Sequence, residues 1–335
     1  MERYSRQVLF PFIGESGQNK LKNSAVLVVG IGALGTVSCN HLARAGVGKI
    51  RMIDRDYVEF SNLQRQMLFE EEDAQEYLPK VIAAKNKLEK INSEIEIEAI
   101  IGNVTNDNIE ELVEGMDVII DGTDNFSTRF LLNDIAFKRN IPYAYGGVVA
   151  SRGMNAFFIP EKTPCLRCMV NEGVNNGQTC DTVGVISPIV DLISSNQVTE
   201  ALKYLTGNED YLRNTLQTID LWHNQFYEIK FSKSMVNCST CQKEEFPALE
   251  RQAHEQNISL CGRNTVQIHQ RDAFELNELA VILEKIGTVQ KTPFLLKVQI
   301  DNQIQFVIFP DGRVLVQGTE DVVMARNYYD RYIGS

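Results

Sequence analysis

The hexapeptide GIGALG, residues 30–35, constrains the fold of this chain more than any other stretch. It follows AVLVVG (25–30), a continuous Val-rich apolar run that reads as a strand buried in a parallel sheet. It opens a segment from Ala33 to Ala45 with helical spacing, which Gly46 and Gly48 bring to a stop. The next strand is KIRMID (49–54). Glycines at such a strand-to-helix turn let the backbone come close to phosphates, and the helix N-terminus behind them offers free N–H groups. Asp54 ends the second strand, 24 residues after Gly30, where a carboxylate can accept hydrogen bonds from a ribose. Taken alone this reads as an NAD or FAD site, but ATP can use the same cradle, and a tight turn with no ligand is the bland alternative.

Strand and helix go on alternating. A helix is predicted over 74–91, with Lys80, Lys87 and Lys90 on solvated faces. EIEIEAI (94–100) alternates strictly and reads as a half-buried strand. MDVIIDGTD (116–124) is a buried strand, 126–139 the helix after it, and IPYAYGGVVA (141–150) and NAFFIP (155–160) are two further strands. The pattern from residue 25 to about 150 predicts an α/β fold with a doubly wound, Rossmann-like, mostly parallel sheet. Another helix is expected from Ser187 (cap) and Pro188 (first turn) to Leu205, ended by Gly207. After Cys241 the composition turns acidic and polar. We therefore expect a nucleotide-binding domain over 1–245, a linker over 246–258 and a small α+β domain over 259–335, in which PDG marks a turn between two strands.

Composition narrows the partners. The net charge is −11, which argues against nucleic acid, since phosphate backbones need a basic face. No run of 18 apolar residues suggests a membrane span, and MERYSRQVLF lacks the basic-then-apolar design of a secretion signal, so a cytoplasmic location is expected. In that compartment cysteines stay reduced and serve metal binding or chemistry in preference to disulfides.

DRDYVEFSNLQRQ (54–66) decides between nucleotides. A dehydrogenase has no need for a dense Asn-Gln-Arg-Gln cluster just after the ribose-binding strand. A triphosphate does: Asn62 can hydrogen-bond it and Arg65 can neutralise it bidentately, with Lys80 as a further point charge. The alternative for Arg65 and Lys80 is that they are solvated surface cations. Asp124, in DGTDN, sits just past the carboxyl end of a buried strand, where open α/β sheets bind ligands, and a carboxylate there suits Mg²⁺. It could instead cap the 126–139 helix, a role also open to Asn125 or Ser127.

Cys165-x-x-Cys168 and Cys238-x-x-Cys241 are two knuckles that together would make a closed, structural Cys₄ zinc site. The competing reading is a redox dithiol in either pair, which lacks the strand-to-helix turn of a thioredoxin-like unit. Cys39 reads as core, Cys261 as buried or incidental, and Cys180 stands alone in a Gly- and Asn-rich run. His41, His223, His254 and His269 belong to no motif and read as surface or packing residues.

Together RYSRQ, GIGALG, DRDYVEFSNLQRQ, PKVIAAK, DGTDN, CLRC, TCDTVGVISP and CSTC, spanning Arg3 to Cys241, resemble the ThiF/MoeB family, bacterial relatives of ubiquitin-activating enzymes. The resemblance implies ATP-dependent adenylation of the C-terminal Gly-Gly carboxylate of a ubiquitin-like sulfur carrier, of the MoaD or ThiS type. The pathway would be molybdopterin or thiamine synthesis, with a cysteine desulfurase or sulfurtransferase as sulfur donor. It implies phosphate binding at Gly30, Gly32, Ala33 and Gly35, and ribose binding at Asp54. Ser61, Asn62, Leu63, Gln64 and Arg65 would line the nucleotide site, with Lys80 beside them. Asp124 and Asn125 would serve magnesium and phosphates, and Arg6 would reach the triphosphate from the second subunit of a homodimer. Cys180 would capture the activated carrier. Many members have glycine where this chain has Ala33. Two alternatives remain: a nicotinamide-dependent oxidoreductase on the same sheet, and a non-catalytic module that only docks a ubiquitin-like partner. The SNLQRQ cluster argues against the first. The full set of Asp54, Arg65, Lys80 and Asp124 argues against the second.

Overall fold

The computed structural model describes residues 2–170, 183–231, 237–250, 257–260, 264–270 and 273–334. Cys180, Cys261 and His254 lie outside them. The chain forms two compact units, Met1–Gln252 and Ala253–Ser335.

The first unit begins with two helices, α1 (Ser5–Val8) and α2 (Gly14–Lys22). Its sheet then alternates with helices: β1 (Ala25–Val29), α3 (Ala33–Ala45), β2 (Lys49–Asp54), α4 (Glu71–Gln75), α5 (Lys80–Ile91), β3 (Glu96–Ile101), α6 (Ile109–Leu112), β4 (Val118–Asp121), α7 (Phe126–Arg139) and β5 (Tyr143–Val149). Beyond these come β6 (Arg152–Phe158), α8 (Leu166–Met169), α9 (Ser187–Thr206), β7 (Thr215–Asp220), β8 (Gln225–Lys230) and two short helices, α10 (Ser239–Lys243) and α11 (Pro247–Glu250).

The eight strands order as β3-β2-β1-β4-β5-β6-β7-β8. The first five are parallel; β6, β7 and β8 are added antiparallel. Side chains leave successive positions of a strand on opposite faces, so each strand feeds two cores. Val26, Val28, Ile50, Met52 and Ile120 pack with residues of α3, α5 and α9, such as Leu42, Leu88 and Val198. Leu27, Val29, Ile53 and Ile119 pack on the other face with Ile109, Phe130 and Ile135 of α6 and α7. This double covering is why the strands read as unbroken apolar runs. Cys39 is wholly buried in the first of these cores, as its sequence position suggested.

Three local expectations need correction. The helix expected over 74–91 is two: α4 ends at Gln75, Tyr77 takes a left-handed φ of 51°, and Pro79 caps α5. Proline cannot donate to the preceding turn and pushes its neighbour out of the helical region, so the pattern could not run through it. As a result Lys80 is the first residue of α5 and is buried, not solvated; Lys90 is exposed. The cap of α9 is Ile186, with Ser187 already helical and Pro188 in the first turn. Within the stretch expected as linker, α11 is a helical turn whose Ala248 and Leu249 pack into the core beside α7.

The second unit is a six-stranded antiparallel sheet. Its strands β9 (Asn257–Leu260), β10 (Thr265–His269), β11 (Thr288–Lys291), β12 (Leu296–Gln299), β13 (Gln305–Ile308) and β14 (Arg313–Gln317) order as β11-β12-β13-β14-β10-β9. Helices α12 (Leu276–Leu283) and α13 (Val322–Tyr332) supply Ala280, Leu283, Ala325 and Tyr329 to its core, against Val266, Phe306, Val314 and Val316. Gly312 of the PDG turn takes φ 88° between β13 and β14. Among the described residues no helix is long and apolar enough to cross a membrane.

Candidate functional site

The strand order reverses direction between β1 and β4, and the crevice at their carboxyl ends is where open α/β sheets bind ligands. Two backbone turns meet there. A Cβ on Gly35 would stand 1.9 Å from the Gly30 carbonyl oxygen, and one on Gly122 would stand 2.2 Å from the same atom. Glycine is therefore required at both for α3 and the β4 loop to close on the turn. Gly32 differs. A Cβ there would meet no protein atom nearer than Gln66 Nε2 at 3.8 Å, so the space above the start of α3 is open. The buried Oε1 of Gln66 has no hydrogen-bond partner. Open space at a helix N-terminus, faced by the Gln66 amide nitrogen as a donor, fits a phosphate-bearing ligand. The Ala33 methyl packs against the cluster of Leu34, Val37, Ile189 and Ile193, away from any need for glycine.

Asp54 lies under this loop. Its Oδ2 accepts from the Ile31 amide at 2.6 Å and its Oδ1 from the Asp56 amide at 2.7 Å. Burial pushes its carboxyl up from the ordinary value, with Asp56 adding to the rise and the positive charge of Lys80 opposing it. Lys80 Nζ is 3.3 Å from Asp56 Oδ2. One buried ammonium thus faces two carboxylates at the rim of the crevice.

The 60–66 segment is a 3₁₀ turn, Phe60–Asn62, and its continuation. Asn62 is buried, and its Oδ1 accepts from the Glu59 amide at 3.0 Å as part of a capping box, leaving its amide nitrogen for other contacts. Arg65 Nη1 donates to the Ser61 carbonyl at 3.0 Å, and Gln64 Nε2 to the Val185 carbonyl at 3.1 Å. Leu63 is half-buried against the first core. Ser61 is exposed.

On the β4 side, Asn125 caps α7, accepting from the Thr128 amide at 2.9 Å. Asp124 is released from that duty and is exposed at the mouth. Arg6, on α1, is also exposed.

Beneath the β4 loop lies a polar network that the motif reading missed. Asp121 Oδ1 accepts from the Thr123 amide and hydroxyl at 2.8 and 2.6 Å, and its Oδ2 accepts from the Tyr143 hydroxyl at 2.5 Å. Arg129 Nη2 donates to the Thr123 carbonyl at 2.8 Å, and Gln197 Nε2 to the Asp121 carbonyl at 2.9 Å. Burial pushes the Asp121 carboxyl up, with Arg129 and the hydrogen bonds opposing it. The network fixes the backbone that carries Asp124. Arg129 and Gln197 stand among other polar residues of α7 and α9, so the sequence carried little signal for this network.

The four cysteines do converge. Cys165, Cys168, Cys238 and Cys241 place their sulfurs within 4.8 Å of one another, with Cys165–Cys168 at 3.9 Å, Cys165–Cys238 at 3.6 Å and Cys168–Cys241 at 3.5 Å. Tetrahedral Zn–S bonds of about 2.3 Å demand sulfur separations of about 3.8 Å, so the set fits a closed metal site. Hydrogen bonding to Cys241, then burial, pushes the Cys165 thiol up, so four thiolates at this spacing need a cation.

The family model described as ThiF matches residues 4–240. The chain belongs to the ThiF family. It is 43% identical to the sulfur carrier protein ThiS adenylyltransferase of Bacillus subtilis, over 99% of each chain. It is 34% identical to the molybdopterin-synthase adenylyltransferase of Escherichia coli, over 72% of this chain and 96% of that one. A solved structure of E. coli MccB with ATP superposes at a TM-score of 0.63 and 26% identity, covering 71% of this chain and 74% of that one. The open space at Gly32 lies at the β1–β4 crevice, and the four cysteines form a cluster of their own.

Proposed function

We propose that the chain is a sulfur carrier protein adenylyltransferase: it activates the C-terminal Gly-Gly carboxylate of a ubiquitin-like carrier with ATP, giving an acyl-adenylate and pyrophosphate. The observation that carries this reading is the open space at Gly32, in the β1–β4 crevice, in a chain that also keeps buried Lys80 and half-buried Arg65. Gly30, Gly32, Ala33 and Gly35 present backbone to the phosphates, and Asp54 receives the ribose while holding the loop. Ser61, Asn62, Leu63, Gln64 and Arg65 line the site, and Arg65 and Lys80 neutralise the triphosphate. Asp124 and Asn125 lie where Mg²⁺ would be held; the ion would screen phosphate charge. The carrier carboxylate attacks the α-phosphorus in line and the bond to pyrophosphate breaks. A carboxylate is already anionic, so the step needs alignment and charge neutralisation, with no general base. Arg6 from a second copy completes the charge, which makes the working unit a homodimer. Zinc in the Cys165, Cys168, Cys238 and Cys241 cluster serves the fold.

A ThiS-type carrier is favoured over a MoaD-type one. The B. subtilis relative matches this chain over 99% of its length, second unit included. The E. coli molybdopterin relative is 96% used by 242 aligned residues, which leaves it no room for that unit. The sulfur donor would be a cysteine desulfurase or sulfurtransferase acting on the activated carrier.

ATP–pyrophosphate exchange tests the reading. It should depend on added carrier and be stronger with the ThiS-type than with the MoaD-type. Exchange lost in Asp124→Ala, with the protein still folded, supports the role of that carboxylate. Absence of exchange with either carrier would sink the assignment.

A further inference from the structure

We propose that Asp134 is the clamp that assembles the two cysteine knuckles into one metal site and ties that site to α7. The proposal rests on the metal reading of the four cysteines given above.

Asp134 is wholly buried in the second half of α7, where an isolated carboxylate would be strongly disfavoured. Five donors satisfy it. Arg167 makes a fork, Nε to Oδ1 at 3.0 Å and Nη2 to Oδ2 at 2.8 Å. The Thr240 hydroxyl donates to Oδ1 at 2.8 Å, the Ala248 amide to Oδ2 at 2.9 Å, and Asn133 Nδ2 to Oδ1 at 3.1 Å. The positions of these donors matter. Arg167 lies between Cys165 and Cys168, and Thr240 lies between Cys238 and Cys241. One carboxylate therefore holds the interior of both knuckles at once. Asn133 adds a third tie, accepting from the Leu166 amide at 2.8 Å. The Arg167 guanidinium is fixed over the Phe130 ring at 4.6 Å, which aims its fork along α7.

The physical consequence concerns metal retention. Each knuckle supplies two thiolates, and Cys165 and Cys238 are 73 residues apart. Bringing them together costs loop-closure entropy, which would weaken a site assembled by the metal alone. With both knuckles bonded to Asp134, the second pair is already in place when the first binds. Partners of this kind are expected to change metal affinity about ten- to a hundredfold when removed.

The test follows transfer of zinc from purified, metal-loaded protein to a chromophoric chelator. It also records the absorption of the Co²⁺-substituted protein. Asp134→Asn keeps the volume and removes the charge. Thr240→Val removes only the bond to the second knuckle and is the safer variant if the first fails to fold. Leu88→Ala, on the core face of α5, controls for general loss of stability. We expect Asp134→Asn to release zinc about tenfold or more faster than wild type, Thr240→Val to fall between, and Leu88→Ala to match wild type well below its melting point. The Co²⁺ spectrum should stay that of a tetrahedral thiolate site in all of them. Zinc release unchanged in Thr240→Val and Asp134→Asn would overturn the clamp while leaving the metal site standing. Equal acceleration in Leu88→Ala would reduce it to a stability effect. A wild-type protein that purifies without metal and takes up none would remove the metal reading itself, and the clamp with it.

Discussion

The Asp54 carboxylate accepts a 2.6 Å hydrogen bond from the amide of Ile31, two residues before the helix that faces the nucleotide crevice. The residue assigned to the ribose therefore also ties the glycine loop to the end of β2. Asp54→Ala leaves two backbone amides, of Ile31 and Asp56, without their acceptor. An orphaned buried donor costs about 1–3 kcal/mol. We predict a lower melting temperature together with a raised KM for ATP. Asp54→Asn retains an acceptor and should lose less stability than Asp54→Ala. Denaturation and pyrophosphate-exchange kinetics on the same samples check this. Weakened ATP binding with no change in stability would remove the structural half of the argument.

Much of this site was legible because its signals are local. The glycine turn, the strand before it and α3 are set by chain neighbours, and α3 runs from Ala33 to Ala45 as its spacing predicts. The same holds for α7, Phe126–Arg139. The knuckles were legible as pairs because Cys-x-x-Cys spacing is itself the motif. What was not legible depends on partners distant in the chain. Asp121 and Tyr143 meet across 22 residues, and Asp121 and Gln197 across 76. Lys80 is polar in sequence and buried in the fold only because Pro79 restarts the helix there and turns it onto Asp56. Asp134 gave no sign of linking α7 to both knuckles, since its partners lie 33 and 106 residues away.

Cys180 lies twelve residues beyond Cys168, and the cluster's four ligand positions are filled without it. We propose that Cys180 captures the activated carrier: its sulfur bonds to the carbonyl carbon of the acyl-adenylate, AMP leaves, and the thiol proton goes to solvent. Cys180→Ser should keep pyrophosphate exchange, because adenylation comes first. It should lose a covalent thioester adduct with the carrier that hydroxylamine or excess thiol cleaves, read by intact mass. An identical adduct in the serine variant would assign the capture to another residue.

Acid stability should respond to Glu98. Burial raises its carboxyl, but hydrogen bonds from Arg51 at 2.9 Å and Lys49 at 3.0 Å outweigh that and hold it below its ordinary value of 4.5. A depressed acid stabilises the fold above its unfolded value, and that contribution disappears as pH falls through the folded one. Glu98→Gln should therefore be less stable than wild type near neutrality, by at most about 1 kcal/mol for a partly exposed pair. The difference should vanish as pH drops below 4.5. Asp121 runs the other way: its carboxyl is raised by burial, so its contribution falls as pH rises from 3.8 through its folded value. Urea titrations of wild type and Glu98→Gln across the acid range check the sign. A gap that widens on acidification would contradict it.

Arg6 is exposed on α1, directly before a run in which Leu9, Phe10 and Phe12 are also exposed, with the Phe12 ring edge-on to Tyr211 at 4.6 Å. An apolar patch of that kind beside a cation suits an interface with a second copy, and a two-fold dimer would bring each Arg6 to the other's site. In the proposed site Arg65 acts from its own chain, where it is bonded to the Ser61 carbonyl. Arg6→Ala and Arg65→Ala should each lose pyrophosphate exchange. Mixed in equal amounts under conditions that let subunits exchange, half the dimers become mixed. Each mixed dimer holds one site with both arginines and one with neither, so activity should return to about a quarter of the wild-type level. Subunit exchange is verified separately by mass-tagged copies. Exchange without recovery would mean that Arg6 acts within its own chain or not at all.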